Sequence, residues 1–109
     1  AEVEFRPLLF PPTTNDPELA RLAREVAEEV VGPDHVRTDP GIRTMAAEDF
    51  AEFITRVPGC YFFLGARDPR IGAVHPHHSP HFDLSEEALP IGVEILERAA
   101  IRYLTSGHG

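Results

Sequence analysis

Apolar and polar positions alternate at the start of the chain. In AEVEF, Val3 and Phe5 fall on one face and Glu2 and Glu4 on the other, which predicts a half-buried strand over residues 1–9. PLLFPPTTNDP then breaks the alternation with four prolines and reads as a connector over residues 10–16. From Pro17 the period changes to that of a helix. Leu19, Leu22, Ala23, Val26, Ala27 and Val30 follow the i, i+3, i+4, i+7 spacing, opposite Arg21, Arg24, Glu25, Glu28 and Glu29. Asn15 or Asp16 can cap this helix, Pro17 suits its first turn, and Gly32-Pro33 ends it. DHVRT allows a short strand, and DPGIR a turn.

TMAAEDFAEFITRVPG predicts a second, shorter helix with Ala46, Phe50, Phe53, Ile54 and Val57 as its apolar stripe. CYFFLG is a short, continuous, aromatic apolar run, the signature of a buried strand. ARDPRIGAVHPHHSPHF is a long loop, a segment type that carries function more often than structure. DLSEEALPIGVEILERAAIRYL predicts the last helix, capped by Asp83 or Ser85, with Glu86 and Glu87 at its positive end and Pro90 in its first turns. Its stripe is Leu89, Val93, Leu96, Ala100 and Tyr103, widened by Ile91 and Ile95, so it should be buried over much of its girth. TSGHG reads as a frayed tail. The order of elements predicts an α/β fold, helices packed on a small sheet.

Composition narrows the function classes. The chain has 109 residues, the size of one domain, and ten basic against eighteen acidic residues give a net charge of −8. Phosphate backbones and anionic membrane surfaces need clustered Lys and Arg, so neither nucleic acid nor membrane is an expected partner. No apolar run approaches the roughly 20 residues of a membrane span. One cysteine, Cys60, excludes an internal disulfide and fits the cytoplasm.

Four of the six histidines stand in HPHHSPHFD: His75, His77, His78 and His81. Neutral imidazole ligates zinc, manganese or nickel, yet a full site needs three or four ligands, and the same residues also make an ordinary polar loop. Asp83 could add a carboxylate, although a helix cap is wanted at that point. Glu48 and Asp49 are adjacent carboxylates at a helix start. They complement a helix dipole, or they face a metal cleft. Cys60 lies beside Tyr61 and Phe62 in the apolar run and reads as core. Ser79 lacks the G-x-S-x-G setting of a hydrolase nucleophile, and no glycine pattern cradles phosphate.

TMAAEDFAEFITRVPGCYFFLGA followed by HPHHSPHFDLSEEALPIGVEILERAAIRYL resembles the C-terminal end of the M20 metallopeptidases. The resemblance is to the amidohydrolase and aminoacylase branch, with its hippurate and indole-acetyl amino acid hydrolases. PPTTNDPEL also resembles the PPTVND segment that follows the last strand of that family's lid domain. The resemblance implies a zinc-peptidase-like catalytic domain over residues 17–109. Residues 1–9 would then be the end of a lid, or dimerisation, domain. It implies two divalent ions, zinc or manganese first, with nickel or cobalt as alternatives. They would activate water to cleave the amide bond of an N-acyl amino acid or a small peptide-like substrate. His78, immediately before Ser-Pro, matches the family's last metal ligand. The other ligands and the general base belong to parts upstream of this segment, so no catalytic residue is expected here. His75, His77, Glu48 and Asp49 would line or support the cleft. His77 replaces a usual apolar residue, His81 stands at a variable position, and Ala47 stands for a common Ser. The resemblance therefore implies a C-terminal fragment, inactive alone, whose partners are the preceding part of the same chain and, through the lid, a second copy. The alternative is a stand-alone histidine-loop module that binds divalent metal or a partner without catalysis.

Overall fold

The computed structural model describes residues 1–4, 10–39 and 44–107. The predicted strand over residues 1–9 falls largely on residues 5–9, outside them, as do residues 40–43 of the DPGIR turn and residues 108–109 of the tail. Three helices are present among the described residues: α1 (Pro17–Val31), α2 (Ala51–Ile54) and α3 (Ala88–Thr105).

α1 forms as its sequence dictates. Asp16 is its N-cap, with Oδ1 accepting the Leu19 N–H at 2.9 Å, and Pro17 fills a position whose N–H has no helical partner. Gly32 ends it at φ 87°, where any side chain would be strained, and donates to the Glu28 carbonyl at 2.9 Å. Arg21–Glu25 and Arg24–Glu28 pairs lace its outer face. Its inner face packs on α3, with Val26 fully buried. Arg102 of α3 donates through Nη2 to both carboxylate oxygens of Glu29, at 2.8 and 2.6 Å.

The remaining elements correct the expected α/β fold. Among the described residues there is no strand and no sheet, and one isolated antiparallel bridge joins Asp68 to Ala73. DHVRT holds a 3-10 turn, Pro33–His35, in place of a strand. CYFFLG has no neighbouring strand, and a lone strand cannot satisfy its backbone. Its side chains are not core: Phe63 is 62% exposed, and Phe62 and Leu64 are also exposed. The second helix shrinks to one turn. It buries Ala51 and leaves Phe53 and Val57 outside, as expected of so short a segment without packing to hold it.

α3 starts later than its sequence signals. Its N-cap is Glu87 without a side-chain bond, so neither Asp83 nor Ser85 caps it. Asp83 accepts the Leu84 N–H, and buried Ser85 donates its N–H to the Ala66 carbonyl. Pro90 lies in the first turn, where its missing N–H costs no helical bond. The buried line of α3 is Ala88 and Ile95, flanked by half-buried Ile91, Gly92, Ala99 and Arg102. Gly92 lets Leu64 approach so closely that an added Cβ would meet its Cδ2 at 2.8 Å. The stripe expected to be core faces outward, with Leu89, Val93 and Leu96 each more than half exposed.

Among the described residues, the buried apolar ones are Val26, Ala51, Ala73, Ala88 and Ile95, three of them alanines. The Cα radius of gyration is 16.7 Å, against about 13 Å for a compact domain of this length. The described residues therefore spread their apolar surface over open faces and do not gather it into one deep core.

Candidate functional site

The histidine loop is held by short-range bonds. Upstream, Asp68 and Ala73 exchange both backbone hydrogen bonds, at 2.9 and 3.0 Å, across the 3-10 turn Pro69–Ile71. The buried Asp68 carboxylate accepts from the Arg70 backbone N–H and guanidinium, and Arg70 also reaches Glu87 at 3.5 Å. The Arg70 side chain first, and its backbone N–H second, hold Asp68 below the ordinary aspartate range.

Downstream, two consecutive turns meet at Ser79. Its N–H donates to the Pro76 carbonyl at 3.3 Å, its carbonyl accepts from Phe82 N–H at 3.0 Å, and its Oγ accepts from His81 N–H at 3.1 Å. His78 occupies the third position of the first turn at φ 66°, the left-handed value that glycine or asparagine usually supplies there. It is the one non-glycine residue at positive φ among the described residues. The rings sort into two pairs. His75 and His81 lie with centres 5.5 Å apart, and His77 and His78 at 6.4 Å, edge to face. His77 and Phe82 also meet edge to face, with ring centres 4.7 Å apart. All four histidines are exposed.

Among the described residues, no group of three or more His, Cys, Asp or Glu side chains could hold a metal ion. His78 is presented, but nothing described here completes a site around it. Asp83 turns back to its own neighbour Leu84. The donor set on these residues does not fit a two-ion centre.

Glu48 and Asp49 do not sit at the start of a helix long enough to have a useful dipole, since α2 is four residues. The partners of Glu48 are local. Its Oε1 accepts the Phe50 N–H at 3.2 Å. The Phe50 N–H leads the effects that hold Glu48 below the ordinary glutamate range, followed by Asp49. The hydrogen bond to Glu48 raises Tyr61 in turn. Around them runs a chain of rings, Phe53–Phe50–Tyr61–Phe63, with centres 5.6–5.9 Å apart. Burial, then the Asp16 carboxylate, pushes the half-buried Cys60 thiol up, which disarms it as a nucleophile.

One contact goes beyond the sequence pattern. Asn15 Oδ1 accepts the Tyr61 N–H and Asn15 Nδ2 donates to the Tyr61 carbonyl, both at 2.8 Å. The Asp16 N–H adds a bond to the Gly59 carbonyl at 2.9 Å. A signal for it existed: Asn15 and Asp16 both qualify as caps, and one helix needs one. An open depression of about 360 Å³ lies beside this junction, lined by residues such as Asn15, Asp16, Ile54 and Arg56. None of the sequence-predicted site residues lines it. No helix among the described residues is long and apolar enough to cross a membrane.

The profile of Peptidase family M20/M25/M40 matches residues 1–102. The chain is 36% identical to IAA-amino acid hydrolase ILR1-like 6 of Arabidopsis thaliana over 100 residues, covering 92% of this chain and 21% of that protein. It is 32% identical to thermostable carboxypeptidase 1 of Saccharolobus solfataricus over 102 residues, covering 94% of this chain and 25% of that protein. It is 33% identical to the putative amidohydrolase YhaA of Bacillus subtilis over 94 residues, covering 86% and 23%. The chain thus spans about a quarter or less of the length of each of these relatives.

Proposed function

The chain belongs to Peptidase family M20/M25/M40, and on that premise we propose that it is the C-terminal part of the catalytic unit of a metal-dependent amidohydrolase acting on N-acyl amino acids. In this reading residues 1–9 end a lid domain, residues 10–16 connect, and residues 17–109 complete the catalytic domain. Enzymes of this family generally use divalent metals. His78 is the one ligand this chain contributes, to an ion (zinc or manganese) whose other ligands come from the rest of a longer protein. The ion would supply a polarised carbonyl and an acidified water. The residues here hold and aim one imidazole, and no catalytic step follows from them alone.

The observation that carries the reading is the backbone of His78. A non-glycine residue at φ 66° costs about 1–2 kcal/mol, and such strain clusters at functional sites. The relatives' names, an IAA-amino acid hydrolase and a carboxypeptidase, support the amide-bond class and the amino acid conjugate substrate. The outward Leu89, Val93 and Leu96 stripe and the exposed Phe62 and Phe63 support a fit against further parts of the same protein. A single cysteine, with no disulfide partner in the chain, suits a cytoplasmic setting.

The intact mass of the native polypeptide tests this first. A value several times 12.1 kDa is expected, and 12.1 kDa itself would sink the enzyme reading in favour of a stand-alone metal-binding module. In the longer protein, His78→Ala should remove bound metal and hydrolysis of an N-acyl amino acid together. Retained metal with retained activity would remove His78 from the site.

A further inference from the structure

The loop carries a second arrangement of histidines that the reading of His78 does not use. His75 and His81 are six positions apart, each next to a proline, and two turns that share Ser79 fold the loop between them. Their ring centres stand 5.5 Å apart and their planes are tilted by 49°, so the rings are not stacked. Two imidazoles that share one ion have metal–nitrogen bonds of about 2.0–2.1 Å. With ring centres about 1.2 Å behind each nitrogen and an angle of about 90–120° at the metal, the centres are roughly 4.5–5.5 Å apart. His75 and His81 meet that separation. His77 and His78 do not, at 6.4 Å and perpendicular, and His77 is engaged with Phe82.

We propose that His75 and His81 form a two-point chelate for a first-row divalent transition-metal ion, separate from the ligand role of His78. The Ser79 turns hold the pair near the distance it needs, so the second imidazole binds from a high effective concentration. Two ligands leave the remaining positions to water, which makes the site weak and exchangeable. Imidazole donors rank the ions, with copper tightest, nickel next and manganese weakest. The net charge of −8 favours cation binding in general. The proposal does not depend on His78 and stands or falls apart from it.

Calorimetric titration of the 109-residue chain with nickel, and separately with manganese, tests it. One nickel ion is expected to bind in the micromolar range, with manganese undetected. His75→Gln and His81→Gln should each weaken nickel about tenfold or more, a factor that marks loss of one arm of the chelate. The double variant should be weaker than either single one, because each single variant still offers one imidazole to the ion. His77→Gln and His78→Gln should leave nickel affinity within about threefold. All four side chains are exposed, and circular dichroism of each variant checks that the helices persist. Equal losses for all four variants mean statistical binding to any imidazole and overturn the proposal. So does a loss that follows His78, or no binding up to millimolar nickel.

Discussion

Asn15 holds Tyr61 by the backbone. Its amide oxygen takes the Tyr61 N–H and its amide nitrogen gives to the Tyr61 carbonyl, both at 2.8 Å, the pattern that a neighbouring strand would make. One side chain thereby ties the connector before α1 to the apolar run that follows α2, and it satisfies two backbone groups in a segment without a ladder.

Asn15→Ala should therefore cost about 1–2 kcal/mol, the net worth of two hydrogen bonds. Asn15→Asp keeps the acceptor and loses the donor, so it should cost about half as much at neutral pH. Urea unfolding of the three proteins decides it, and equal stability of all three would mean that the clamp contributes nothing.

His78→Gly should be more stable than His78→Ala by about 1 kcal/mol, because glycine reaches φ 66° without a β-carbon clash. At an ordinary φ the order would reverse, since glycine loses more freedom on folding. Denaturant midpoints of the two variants read the sign directly.

Ile95 and Val93 should respond oppositely. Ile95 is buried on α3, the helix that packs on α1, and Ile95→Ala should cost about 2 kcal/mol or more. Val93 is 64% exposed, so Val93→Glu should change the melt by about 0.5 kcal/mol or less while lowering self-association at high concentration. Thermal melts and sedimentation measure the two effects separately. A destabilised Val93→Glu would mean that the outward stripe is already covered.

The Asp68 turn should be sensitive to acid. Arg70 holds the folded-state carboxyl below the ordinary aspartate value. A depressed acid contributes its stability above the unfolded value, about pH 4, and loses it as the pH falls through the folded one. Exchange of the Arg70 amide, bonded to Asp68 Oδ1 at 2.9 Å, should therefore quicken below about pH 4 beyond the trend of unbonded amides. In Asp68→Asn that acid step should be missing.

α1 could be read from sequence because everything that makes it is local: Asp16, Pro17, a clean stripe and Gly32. CYFFLG could not be, because an apolar run becomes a strand only beside another strand, and here its neighbour is a side chain, Asn15. α3 was legible as a helix but not in its orientation. Leu89, Val93 and Leu96 are as apolar as Ile91 and Ile95, and only the position of α1 decides which line is covered. At the site, HHSP and its surroundings fixed the position of interest. The left-handed backbone of His78 and the approach of His75 to His81 are products of the Ser79 turns and have no periodic signature.

The link from Glu29 to Arg102 also sets an order of events in time. The two residues are 73 positions apart in the chain. At roughly 5–20 residues per second of synthesis, α1 is finished several seconds before its counterpart leaves the ribosome. α1 carries its own caps and ion pairs, so it can wait as a helix. Val26 waits with it, uncovered until α3 is made.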